Sequence, residues 1–211
     1  MRHLRTFCLL LVLSFAVSAL GQASGNAPAA KPATPAPQAQ TSPQPPPTIA
    51  SIVDRQISQL EKQVVGLAEA MPEDKFDFTP TQLNTKDSRD PVRSFAFEVK
   101  HLATANYAFW SPLTGDPMPA GIKGPNGPED LKTKADIVKY LKDSYALGHK
   151  AAATLTNDNL LDMLPTFQGK AARLYLATFA VAHGYDHYGQ LALFLRMNGI
   201  TPPGSRVAPP K

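Results

Sequence analysis

His183 and His187 stand four residues apart in the segment AHGYDH. On an α-helix that spacing puts the two rings about 40° apart on one face, one turn above the other. The same face carries Leu176, Phe179, Ala180, Gln190 and Phe194, which marks it as the stripe turned toward a core. Two imidazoles on such a face lose hydration, and they repel one another when both are protonated. Either hydrogen bonds to neighbours satisfy the pair, or a divalent cation takes a lone pair from each ring at roughly 2 Å. His101 adds a third ring. As part of a helix it shares an arc with Ser94, Phe97, Glu98, Thr104, Ala105 and Ala108, and the two alanines leave room beside it. If the two helices are neighbours, three nitrogens can converge on one ion and leave coordination positions open. That is the pattern of a catalytic rather than a closed structural site.

Two rival metal motifs fail. A zincin needs HExxH, and Gly184 follows His183 where the glutamate would stand. A di-iron bundle needs Glu-x-x-His on two helices. Glu98-x-x-His101 supplies one copy, but Ala180 holds the matching place before His183. Glu98 is therefore the candidate catalytic proton acceptor, with a role as an extra ligand, as a partner of a ligating histidine, or as a plain solvated acid left open. His149, in YALGHK, lies about 80° from Leu141, the centre of its helix's apolar stripe, and reads as a partly exposed surface histidine. Tyr107, Trp110, Tyr185 and Tyr188 fall near the ends or flanks of the same helices, either lining a mouth or packing as ordinary core.

Four helical segments must position these residues. Thr48–Ala70 has Thr48 or Ser51 as its cap and Ile49, Ile52, Val53, Ile57, Leu60, Val64 and Leu67 at helical spacing. The second is expected over Val92–Trp110, closed by Ser111-Pro112, and the third over Pro128–Leu155, with Glu129 and Asp130 complementing the dipole in its first turn. The fourth is expected over Gly169–Asn198. The connections are long and rich in Pro, Gly, Asp and Asn, whereas tight antiparallel hairpins need a few residues. The fold class that follows is all-α, a four-helix bundle of residues 48–211 with long crossover connections and loops roofing one end.

Upstream, Met1–Arg5 is basic, Thr6–Leu20 is an apolar run and small residues follow at Ala19, Gly21 and Ala23. This is the form of a secretory signal peptide, residues 1–23, and the protein is expected to be exported, periplasmic or secreted, with no stable membrane span after cleavage. Residues 24–47, SGNAPAAKPATPAPQAQTSPQPPP, offer nothing to bury and read as a disordered, semi-extended linker. Of 211 residues 21 are proline, 43% are hydrophobic and 18% charged, which excludes a polytopic membrane protein for the bulk of the chain. The net charge of +4 includes Arg2 and Arg5 of the leader, and no Lys/Arg cluster follows, so no nucleic-acid partner is expected. The lone cysteine, Cys8, lies in the leader, which removes disulfides and thiolate chemistry from the mature chain.

Three segments carry a family resemblance: LAEAMPEDKFDFTPT at 67–81, RSFAFEVKHLATANYAFW at 93–110 and AHGYDHYGQLALFLRMNGITPP at 182–203. In this order and spacing the sequence resembles the DinB-like superfamily, the damage-inducible metal-binding bundles rather than the DNA polymerase of similar name. The resemblance implies a four-helix bundle with a long crossover and a divalent metal, zinc or nickel, held by three histidines at positions matching His101, His183 and His187. It also implies, for some members, transfer or isomerisation of small thiol conjugates. The export signal and the proline-rich tether depart from the family pattern. The expectation is an exported metal-dependent enzyme, of hydrolase or thiol-transferase type, acting on a small molecule. The alternatives are a non-catalytic envelope module stabilised by its metal, and a metal-free histidine cluster. Monomer and homodimer both stay open.

Overall fold

The computed structural model describes residues 46–80 and 92–205, which belong to one compact unit, Pro45–Lys211. The signal-peptide and linker assignments, residues 1–23 and 24–47, lie outside the described residues apart from Pro46 and Pro47.

Four helices make the body: α1 (Ile49–Ala70), α2 (Phe95–Thr114), α3 (Lys134–Ala153) and α4 (Arg173–Met197). α1 starts where the chain can satisfy its orphan donors. Thr48 and Ser51 form a reciprocal capping box, each side chain accepting from the other's backbone N–H at 3.1 and 2.9 Å. Val53, Ile57, Leu60, Val64 and Leu67 then bury one stripe, whereas Ile52 is exposed.

α2 starts at Phe95, capped by Ser94, and continues past the Ser111-Pro112 stop to Thr114. Proline this close to the helix end sacrifices one ladder bond, and the buried Leu113 holds the extra turn against the core. α3 starts later than the pattern suggests, at Lys134. Thr133 accepts from Asp136 N–H as its cap, so Glu129 and Asp130 belong to the preceding loop, where Glu129 pairs with Lys123.

The largest departure precedes α4. Gly169–Ala172, expected to begin the helix, instead pairs as β2 with β1 (Met163–Thr166) of the preceding connection, in antiparallel register with Thr166 opposite Gly169 and Met163 opposite Ala172. Gly169 has φ +110°, which no helix accepts. The hairpin places Phe167 at its turn.

Around the bundle α1 packs on α3 and α4, α2 packs on α3 and α4, and α3 and α4 touch only slightly. The consecutive helices α1 and α2 thus face each other across the diagonal, and the long connection between them is what that crossing requires. Phe95, Leu102 and Trp110 of α2, Leu141 and Tyr145 of α3, and Leu176, Leu191 and Leu195 of α4 meet in the core. No helix among the described residues is long and apolar enough to cross a membrane.

Candidate metal centre

The α2–α4 seam brings His101, His183 and His187 together. One candidate ligand nitrogen from each lies within 4.8 Å of the other two. His187 is buried and the other two are half-buried, so the group has a closed side against the core and an open one.

The hydrogen bonds fix which nitrogens are free. His101 Nδ1–H donates to the Pro125 carbonyl at 2.8 Å, because a carbonyl can do nothing but accept, and this leaves Nε2 with its lone pair. His187 Nδ1–H donates to the Glu98 carboxylate, so in the neutral ring it is Nε2 that carries the lone pair. That Nε2 lies 3.0 Å from His183 Nε2. Two such nitrogens can share one proton or one cation, and ligands about 2.0–2.1 Å from a tetrahedral ion stand roughly 3.3 Å apart. A shared proton accounts for the two rings of α4, but it gives His101 no partner on the inner side. The donor set therefore fits a divalent transition ion.

Surroundings favour the neutral form of His101 and His183. Burial, reinforced by the neighbouring His187 and His101, pushes His183 down to about 4. Burial also lowers His101, helped by the Arg93 guanidinium and opposed by the bond to Pro125. Neutral imidazole is the form a metal takes. Glu98 is 2% exposed. Burial works against its charge, but the hydrogen bond from His187 and the positive groups nearby, Arg93 at 3.7 Å among them, hold the carboxyl below its usual value. A buried carboxylate gripping the outer nitrogen of a ligating histidine sets the ring's tautomer and orientation.

Gly184 explains the absence of a zincin glutamate in structural terms. A Cβ at this position would collide with Leu60 Cδ2 of α1, so a side chain here fits only if the buried Leu60 moves. His149 takes no part in the centre. It joins α3 to α1, within 2.7 Å of Asp54 and 3.1 Å of Glu61.

The aromatic candidates divide differently from the sequence reading. Trp110 is fully buried beside Tyr145, and Tyr107 is buried beside Tyr140. Tyr185 and Tyr188 pair with each other on the outer part of α4. The rings against His183 are Phe109 and Phe179, with centroids 5.9 and 6.3 Å away. Both were legible by spacing: Phe179 is one turn before His183, and Phe109 follows His101 by eight residues. Phe179 and Gln190, assigned to the buried stripe of α4, are exposed instead. The Pro125 carbonyl had no signal in the sequence.

Comparison with known proteins agrees with this architecture. The family model of the DinB superfamily matches residues 56–191, and the chain belongs to that superfamily. Among solved structures it is similar to the DinB-like protein YjoA of Bacillus subtilis, at 21% identity and a TM-score of 0.52 over 71% of this chain and 93% of that one. It is also similar to a DinB-like protein of Bacillus cereus, at 12% identity and a TM-score of 0.56 over 75% of this chain and 98% of that one. No curated protein matches the sequence.

Proposed function

We propose that the protein is exported and binds one divalent transition metal, zinc or nickel, through His101, His183 and His187, as a metal-dependent enzyme acting on a small molecule. The observation that carries this reading is the convergence of two assigned lone pairs, on His101 and His187, with the ring of His183 at a half-open face. A structural zinc site is closed by four protein ligands, whereas three imidazoles leave a position for water or substrate. When bound, such an ion lowers the pKa of a coordinated water or polarises a carbonyl or thiol, which suits hydrolysis or thiol transfer.

The residues of this chain prepare the site. Glu98 and the Pro125 carbonyl hold the outer protons of His187 and His101, which aims both inner nitrogens the same way. Glu98 acts through His187 and is a positioning residue, because its carboxylate is committed to that ring and to Arg93. Phe109 and Phe179 shield one side of His183 from water. The export reading rests on the tripartite leader of residues 1–23.

The test is elemental analysis of residues 24–211 purified without chelator or histidine tag, beside the His183→Ala/His187→Ala variant. About one equivalent of a transition ion in the wild type and none in the variant is expected for a three-ligand site. A wild type that also refuses added zinc and nickel overturns the metal, and turnover equal in the two proteins overturns metal-dependent catalysis.

A further inference from the structure

Three rings beside the three histidines are exposed, and a fourth, Phe109, links them to the core. Phe167 is 68% exposed, Tyr175 49% and Phe179 37%, while Phe109 is half-buried. They form one continuous array: Phe109 meets Phe179 edge-on at 5.1 Å and Phe167 at 6.4 Å, and Tyr175 stacks on Phe179 at 5.1 Å. Phe109 and Phe179 are also the rings against His183, so the array runs directly into the metal centre. Water contact at this much ring surface is unfavourable, and a contiguous exposed apolar patch marks a binding surface.

The shape of the patch selects the occupant. A concavity of about 210 Å³ opens with Phe109, Phe167, Tyr175 and Leu176 on its apolar side and Thr166, Gln168 and Lys170 on its polar side. A cavity of about 150 Å³ has the size for benzene, so this one has room for one or two fused rings or a short alkyl chain against its aromatic side and none for a helix. Lys170 is the charged side chain on its lining among the described residues, which disfavours a cationic occupant. The β1–β2 hairpin builds the concavity by carrying Phe167 over Phe109.

We propose that this array binds the apolar arm, aromatic or short alkyl and neutral or anionic, of a small-molecule substrate whose polar reacting group lies at the three histidines. This substrate class rests on the metal-centre reading above. Three probes separate the two. 2-Naphthylmethanol carries rings alone, acetohydroxamate carries a metal-binding group alone, and 2-naphthylacetohydroxamate carries both. Their affinities are measured by calorimetry on zinc-loaded wild type and on the Phe167→Ser/Tyr175→Ser variant, whose positions are solvent-exposed. On the wild type the joined probe is expected to bind about tenfold or more tighter than acetohydroxamate, and that advantage falls about fivefold in the variant, while acetohydroxamate affinity is unchanged. A joined probe no tighter than acetohydroxamate on the wild type, a comparison that needs no variant, overturns the ring platform. So does an advantage of equal size in both proteins. Naphthylmethanol binding that the variant weakens, in a protein that takes up neither zinc nor acetohydroxamate, keeps the platform and overturns the metal centre.

Discussion

Two histidine sites occupy opposite seams of the bundle and show what surroundings do to one side chain. On the α1–α3 seam His149 sits a third exposed between Asp54 and Glu61. Burial favours its neutral form, but the two carboxylates outweigh burial and raise its pKa. On the α2–α4 seam the one buried carboxylate bonds to His187 alone among three rings, with phenyl groups against His183, and His101 and His183 are both pushed down. The first site is a charged clamp between helices. The second is a set of ring nitrogens gathered about a common centre. The number of acids per imidazole and the access of water make the difference, not the residue type.

The widest separation between the two seams is expected in metal binding. His187→Ala abolishes uptake of the ion and His149→Ala leaves about one equivalent bound, as elemental analysis will show. At a metal concentration a thousandfold above Kd the wild type gains about 4 kcal/mol of stability. A His149→Ala protein that loses the ion breaks the contrast. Next in size is Glu98→Gln, which keeps an acceptor for His187 but removes the charge. Metal affinity should fall about 10- to 100-fold, read by competition with a chromogenic chelator, and an unchanged affinity removes the positioning role.

Smaller effects come from the packing that holds the seams. A Cβ on Gly148 would lie 2.5 Å from Cζ3 of the fully buried Trp110 ring. Overpacking costs about 1–3 kcal/mol, and the gain in helix propensity offsets up to about 1. Gly148→Ala should therefore lower stability by about 1–2 kcal/mol in urea titrations while leaving metal stoichiometry intact. Gly184→Ala, which pushes α4 off Leu60, should lower stability and metal affinity together. Equal metal affinity in the two variants erases the distinction.

The smallest effect is that of His149→Gln, below about 1 kcal/mol because the pair is partly solvated. Its sign with pH is definite. A histidine whose folded pKa is raised stabilises the protein fully below its unfolded value of about 6.5, and that contribution vanishes as pH rises through the folded value. Melting curves of wild type and variant should therefore differ at pH 5.5 and converge in alkaline buffer. A gap that widens with pH contradicts the clamp.

Much of this was legible before the fold was known. The i, i+4 pair of His183 and His187 and the arc of His101 follow from helical geometry, and so does the empty glutamate position at Gly184. The hairpin was not legible, because the residues from Met163 to Ala172 carry no alternating β-branched run, and the left-handed turn at Gly169 decides their course. Trp110 was ambiguous for a different reason. An aromatic near a helix end serves a mouth or a core equally well until its neighbours are known, and here the bare face of Gly148 receives it.

By itself the sequence determined the number of helices, the class of fold and the pairing of His183 with His187 on one helix face, because periodicity is local and each helix carries its own face. The tertiary structure alone decided that α2 and α4 are neighbours, that Glu98 and the Pro125 carbonyl take the outer protons of His187 and His101, and that Phe109 and Phe179 wall the third ring. These are contacts between residues far apart along the chain. Their tautomers and charges depend on burial and distance, which no spacing in the sequence encodes.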